Sequence, residues 1–182
     1  MAKAYAVLTA IGSDRVGIVD DLSGSVTSAG CNIEESKMAV LGGEFAVIML
    51  VSGPPGSLDS LASGLPSLGG KLGLRIESRP TREPSAGVSG RPYLLEAVSL
   101  DTPGIVHSVT AILRGHGINI EELSTDTAAA PWTGAPMFRL KAHLVIGPSV
   151  SIARLKEDLS RLQKEHDLDI ALKPVFPASE SA

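Results

Sequence analysis

Apolar positions along the chain fall into two rhythms, and the switches between them outline the elements. Tyr5 to Ile11 is a short apolar run closed by Gly12-Ser13-Asp14, the length and boundary of a buried strand. From Gly17 the spacing lengthens: Ile18, Val19, Leu22, Val26 and Ala29 form one helical face, stopped by Gly30. Ile33 to Leu41 and Phe45 to Val51 read as strands joined by the two-residue turn Gly42-Gly43. After the breaker Ser52-Gly-Pro-Pro-Gly56, the residues Leu58, Leu61, Leu65 and Leu68 mark a second helix, which Pro66 and Gly69-Gly70 should shorten or kink. Leu72 to Ser78 reads as a last strand.

The same order then returns. Tyr93 to Leu100 is strand-like, and Ile105, Val106, Val109, Ile112 and Leu113 form a helical face ended by Gly115 to Gly117. Ile118 to Thr127 and Met137 to Ile146 make a hairpin with a longer loop, Ala128 to Pro136. Ile152, Leu155, Leu159 and Leu162 form an apolar stripe whose opposite face is charged, and Leu168 to Val175 closes the series. The motifs are duplicated as well as the pattern. Asp14-Arg-Val-Gly-Ile-Val19 matches Asp101-Thr-Pro-Gly-Ile-Val106, and Gly30-Cys-Asn-Ile-Glu-Glu35 matches Gly117-Ile-Asn-Ile-Glu-Glu122, both at one offset of 101 − 14 = 87. One register without a gap implies two homologous units. Each reads β-α-β-β-α-β, so the fold class is α+β, two ferredoxin-like domains in tandem with the helices on one sheet face. The expected boundaries are 1–80 and 92–177, with a linker at 81–91 rich in Pro, Gly and Ser and a flexible tail at 178–182. Units this small should pack on each other or on a second chain to finish covering themselves.

Composition narrows the function. Of 182 residues 43% are hydrophobic, enough for a core, and the net charge of −4 lacks the positive field of a direct nucleic-acid binder. Aromatic residues at 3% supply no stacking platform for bases. The apolar runs are of strand length, too short for a bilayer span, and no cleavage signal opens the chain, so a cytoplasmic location is expected. A single cysteine, Cys31, excludes an intramolecular disulfide and a multi-cysteine metal cluster. His107, His116, His143 and His166 have no metal-site spacing, and no nucleophile elbow, phosphate loop or dinucleotide fingerprint occurs. No cofactor and no metal is expected. The duplicated carboxylate pairs Glu34-Glu35 and Glu121-Glu122 should point to opposite faces of their strands, which favours a solvated role over a catalytic one. Trp132, the only tryptophan, is a candidate partner anchor or a local packing residue.

The motif Asp-x-x-Gly-Ile-Val at a helix start, followed by Gly-x-Asn-Ile at the next strand, resembles the ACT domain, a family of small-molecule sensor modules often tuned to amino acids. The resemblance covers nearly the whole chain. It departs at Val16, where the family commonly has the proline that the second unit keeps as Pro103. By this resemblance the ligand-binding residues are Asp14, Arg15, Val16, Gly17, Ile18, Asn32 and Ile33 in the first unit. Their counterparts are Asp101, Thr102, Pro103, Gly104, Ile105, Asn119 and Ile120 in the second. The family habit pairs the loop of one unit with the asparagine segment of the other. The chemistry is suitable for a zwitterion. A helix start offers unpaired N–H groups to a carboxylate, Gly17 and Gly104 let it approach, and Asp14 and Asp101 accept from an ammonium. Asn32 and Asn119 offer both donor and acceptor. Each has a structural alternative: a cap for the aspartates, strand-end bonding for the asparagines and close packing for the glycines. The ceiling on glycine binding is about −7.5 kcal/mol, a micromolar Kd at best.

The resemblance implies a non-enzymatic, amino-acid-responsive regulator with glycine or a similar amino acid as ligand. Its effect on transcription of amino-acid metabolism genes would be indirect, through a protein partner such as a transcription activator. No direct nucleic-acid contact and no membrane contact are expected, and the exposed sheet edges leave a homodimer open. Two alternatives stand beside it: an interaction module without ligand, and a small acylphosphatase-like enzyme on the same scaffold using Arg15 with Asn32.

Overall fold

The structure is a computed structural model that describes residues 3–84, 89–130 and 134–175. The chain divides into two units, 1–85 and 86–182, each with its own sheet and core. Trp132, with its neighbours Pro131 and Thr133, lies outside the described residues.

The first unit runs β1 (Ala4–Ser13), α1 (Ile18–Ser28), β2 (Asn32–Leu41), β3 (Glu44–Gly53), α2 (Pro55–Leu72) and β4 (Leu74–Thr81). The antiparallel sheet has the order β2-β3-β1-β4. Its inner face is built by alternation. Ala6, Leu8 and Ala10 of β1 and Phe45, Val47, Met49 and Val51 of β3 are buried against the helices. α1 contributes Ile18, Leu22 and Val26, one residue per turn on a single stripe. The turn at Gly42 and Gly43 takes φ of 61° and 85°, both in the left-handed region that glycine enters without a Cβ clash.

Two expectations fail here for physical reasons. α2 is neither short nor broken, and runs as one helix of 18 residues through Pro66. Its stripe of Leu61, Leu65 and Gly69 is buried, and that burial outweighs the hydrogen bond that the proline removes. Gly69 serves contact rather than termination: a Cβ there would lie 2.6 Å from the Leu74 carbonyl oxygen. The helix stops only at Gly73, with φ of 69°, and the following strand starts at Leu74, not Leu72.

The second unit runs β5 (Arg91–Leu100), α3 (Ile105–Gly115), β6 (Asn119–Ala129), β7 (Pro136–Ile146), α4 (Ile152–His166) and β8 (Asp169–Pro174), with sheet order β6-β7-β5-β8. Ile105, Val109 and Leu113 of α3 and Leu155, Leu159 and Leu162 of α4 fill its core. Ser151 caps α4 by accepting from the Arg154 amide. Val19 and Val106, both expected on buried helix faces, are 45% and 37% exposed. They are homologous, and in the first turn each points away from its sheet beside the loop that opens the helix.

Each sheet has an outer face that its own helices leave uncovered, and the two differ. In the first unit it is apolar at its centre, with Val7, Ile11, Ile48 and Leu50. In the second, Glu96 stands between Leu94 and Val98 on that face, and Lys141 and Lys173 both reach it.

Candidate functional site

The two loops that open α1 and α3 are built alike. The Asp14 amide donates to the Gly43 carbonyl at 2.9 Å, and the Asp101 amide donates to the Pro136 carbonyl at 3.0 Å. Each loop is thereby tied to the neighbouring hairpin. Gly17 and Gly104 are the N-cap residues, with φ of 94° and 98°. A residue with a Cβ pays about 1–2 kcal/mol in that region, which is why both positions are glycine. No side chain caps either helix, so Asp14 and Asp101 do not take the capping role that the sequence left open. The first intrahelical bonds run from the Asp21 amide to Gly17 and from the Ser108 amide to Gly104. The amides ahead of them form the positive end of each helix.

The electrostatics of the two loops differ. In the first unit Arg15 folds back on its own helix: one guanidinium nitrogen lies 2.9 Å from Asp21 and the other donates to the Val16 carbonyl at 3.0 Å. Asp20 and Asp21 place two negative charges in the first turn. Val16, at the tip, is 98% exposed. In the second unit Thr102 and Pro103 stand in place of Arg15 and Val16, and the first turn holds no acid.

The asparagine segments diverge in the same sense. The Asn32 side chain donates to Glu34 at 3.2 Å, and Glu34 also accepts from Ser52 and pairs with Lys3 at 2.9 Å. The Ser52 hydroxyl and the Lys3 ammonium, ahead of Asn32, hold the Glu34 carboxyl down at about 2. Asn119 faces Val145 where Asn32 faces Ser52, so the second unit has no equivalent hydroxyl. Ile33 and Ile120 pack against the two cores.

The paired glutamates correct another expectation. The ladder shifts register between Ile33 and Glu35 and again between Ile120 and Glu122, a β-bulge at the same place in both units. The bulge cancels simple alternation. Glu35 faces Leu50, while Glu34 reaches Ser52 two residues along the same face of β3, so both glutamates lie on the outer face.

Within each unit the predicted residues form two groups at opposite ends of the sheet. Asn32 shares a row with Ser52 and Tyr5, whereas the Asp14 loop follows Ser13, eight residues further along β1. At 3.4 Å per residue that is roughly 27 Å. Arg15 and Asn32 therefore cannot flank one phosphate within this unit. Cys31 is buried, and burial pushes its thiol pKa up, away from a reactive thiolate. Among the described residues no group of three or more His, Cys, Asp or Glu side chains is placed to hold a metal. No described helix is long and apolar enough to cross a membrane.

With this geometry the known relatives can be read. The model of the ACT domain matches residues 4–79. The glycine cleavage system transcriptional repressor of Escherichia coli (strain K12) is 39% identical over 165 residues, which is 90% of this chain and 86% of the relative. This chain belongs to the ACT-domain family. A solved structure of an unknown protein from Galdieria sulphuraria is similar across both units of this chain, with a TM-score of 0.79 and 35% identity over 96% of this chain and all of that one. A UPF0237 protein of Methanosarcina mazei is 32% identical over 79 residues, covering 42% of this chain and 86% of its own. The tandem of ACT units in βαββαβ order is thus shown by family, by full-length likeness and by topology.

Sequence reasoning missed the Glu34 anchor. Lys3 and Ser52 are far from Glu34 in sequence, and only strand register brings them to it. The repeat offset signals only half of this, since Lys3 is matched by Gly90; that Val145 faces Asn119 where Ser52 faces Asn32 is given by strand register.

Proposed function

We propose that this chain is a non-catalytic, amino-acid-responsive regulator. It acts on transcription of amino-acid metabolism genes, glycine metabolism among them, through a protein partner rather than by touching nucleic acid. The observation that carries this reading is the duplicated helix start: a left-handed glycine at Gly17 and at Gly104, no side-chain cap, and an aspartate three residues before. Such a helix end suits a carboxylate, and the aspartate suits an ammonium. The likeness to the Escherichia coli repressor supports the regulatory role, and the net charge of −4 supports indirect action. A ligand of this kind acts by preferring one of two arrangements of the protein, so its effect is bounded by that difference in affinity.

The test is a thermal-shift screen of the full chain against the twenty amino acids, followed by calorimetry on those that raise Tm. Glycine or another small amino acid is expected to stabilise the fold, and affinity purification with and without it is expected to change the amount of a bound transcription factor. Twenty flat melting curves would overturn the reading.

A second reading has its own observation, confined to the first unit. There Arg15 and Asp21 close on each other, Asn32 is held by Glu34, and Val16 is bare. In this reading the first unit is an interaction module and only the second responds to ligand. D14A would leave the amino-acid response intact and D101A would abolish it.

A further inference from the structure

α1 and α3 occupy the same place in their units, yet they carry opposite charge. Between Ile18 and Ser28 the charged residues are Asp20 and Asp21, and between Ile105 and Gly115 the only formal charge is Arg114. At the shared offset, Asp20 is matched by His107, Asp21 by Ser108 and Thr27 by Arg114. The outer flank of α3 also borders a cleft of about 480 Å³ that ends at the start of β6, lined by His107, Thr110, Arg114, Asn119 and Ile120 among others. The His107 ring, the Arg114 guanidinium and the Asn119 amide are exposed, and among the described residues no side chain pairs with any of them. The other polar groups of this edge are engaged: the Thr110 hydroxyl donates to Val106 and His107, the Gly117 amide donates to Arg114, and the Ile118 amide donates to Leu113.

We propose that this cleft is a carboxylate-receiving site of the second unit, in which Arg114 takes the carboxylate of a small amino acid and selects for it. The proposal rests on the amino-acid-responsive reading but moves the carboxylate from the Gly104 helix start to the opposite end of α3, where Arg114 and Asn119 stand. The guanidinium offers two parallel N–H donors to a carboxylate, and with no acidic partner of its own it gives up no ion pair to do so. Asn119, at the other lip, presents a donor and an acceptor that can meet the remaining oxygen or the ammonium. His107 brings no negative charge where the first unit has Asp20. The same surface of the first unit has Thr27 for the guanidinium, an acid facing the bound anion and an asparagine already bonded to Glu34. It should not bind a carboxylate in this way. The two halves of the repeat are thus specialised, and the second carries the selectivity.

The test is a solution NMR titration of the full chain with glycine, L-alanine and L-serine, and with glycinamide as a probe that keeps the amine but lacks the carboxylate. The amide signals of Gly117 to Ile120 are expected to move with an amino acid and to stay in place with glycinamide. R114Q should weaken binding by roughly 10- to 100-fold, the size of a charge-assisted bond, with Tm unchanged because Arg114 is exposed. R114K should restore part of the affinity, which a merely structural role would not predict. Equal binding by R114Q, or glycinamide binding as well as glycine, would overturn the proposal. If an amino acid moves only the signals of 14–18 or 101–105, and R114Q does not alter its affinity, this site is wrong and the amino-acid-responsive reading stands. If no amino acid moves any signal, that underlying reading has failed, and this proposal with it.

Discussion

The side chain of Asn32 donates to the Glu34 carboxylate across 3.2 Å, within a β-bulge that the second unit repeats without the bond. The difference traces to residues far away in sequence. Lys3 at the head of β1 and Ser52 near the end of β3 converge on Glu34, and the second unit has Gly90 and Val145 in their places. The asparagine of a duplicated motif has therefore acquired two environments, one bonded to a glutamate and one with no side-chain partner among the described residues.

That anchor has a pH signature. Glu34 has its carboxyl lowered to about 2 by Ser52, Lys3 and Asn32. A carboxyl depressed by folding contributes stability that is present above the unfolded pKa, near 4.5, and is lost as pH falls through about 2. The E34Q variant should therefore melt below the parent chain at pH 7, and the gap should close between about pH 4.5 and pH 2. S52A should raise the Glu34 pKa, read from the carboxyl carbon shift in an NMR titration. A gap in Tm that persists unchanged to pH 2 would contradict this assignment.

The repeat, the element order and the one-sided helix layer were all legible in the sequence, because each depends on local periodicity and on one repeated register. What was hidden depends on contacts across the sheet. The length of α2 was misjudged because Pro66 and Gly69 break helices locally, while the burial of Leu61 and Leu65 is a property of the packed unit. The shared face of Glu34 and Glu35 was missed because a bulge defeats the count of two on which strand reasoning rests. The loops were recognised as a motif, but their uncapped geometry needed the φ values of Gly17 and Gly104.

Two glycines separate steric from conformational demand. A Cβ on Gly69 would meet the Leu74 carbonyl oxygen at 2.6 Å, whereas one on Gly104 meets nothing within 4 Å. Gly104 is instead held at φ of 98°. G69A should cost about 1–3 kcal/mol by forcing α2 away from β4, despite alanine's better helix propensity. G104A should cost about 1–2 kcal/mol from backbone strain alone. Urea unfolding measures both, and the hydrogen exchange of α2 and β4 should rise in G69A only.

The thiol of Cys31 offers a check on burial near the strand start. It is buried, its pKa is pushed up by that burial, and a Cβ on Gly53 would stand 3.0 Å from its sulfur. The native protein should react slowly with a disulfide reagent at pH 8, and the rate should rise by more than about tenfold in guanidinium. A native thiol as fast as the unfolded one would show that this edge opens readily.

The two asparagines should differ in what their removal does to a ligand. Asn32 already donates to Glu34, so a ligand would have to compete with an ionised acceptor for that amide. Asn119 has no such partner among the described residues, and its amide lines the α3 cleft. Losing one net hydrogen bond costs about 0.5–1.5 kcal/mol, which corresponds to roughly 2- to 12-fold in Kd. N119A should therefore weaken amino-acid binding by that factor, and N32A should leave it within about twofold. The stability effects should run the other way. N32A removes a bond from the Glu34 anchor and should lower Tm, while N119A leaves no described partner unsatisfied and should not. Calorimetric titration and melting of the same two variants read both quantities, and a reversed order in binding would mean that the first unit holds the ligand.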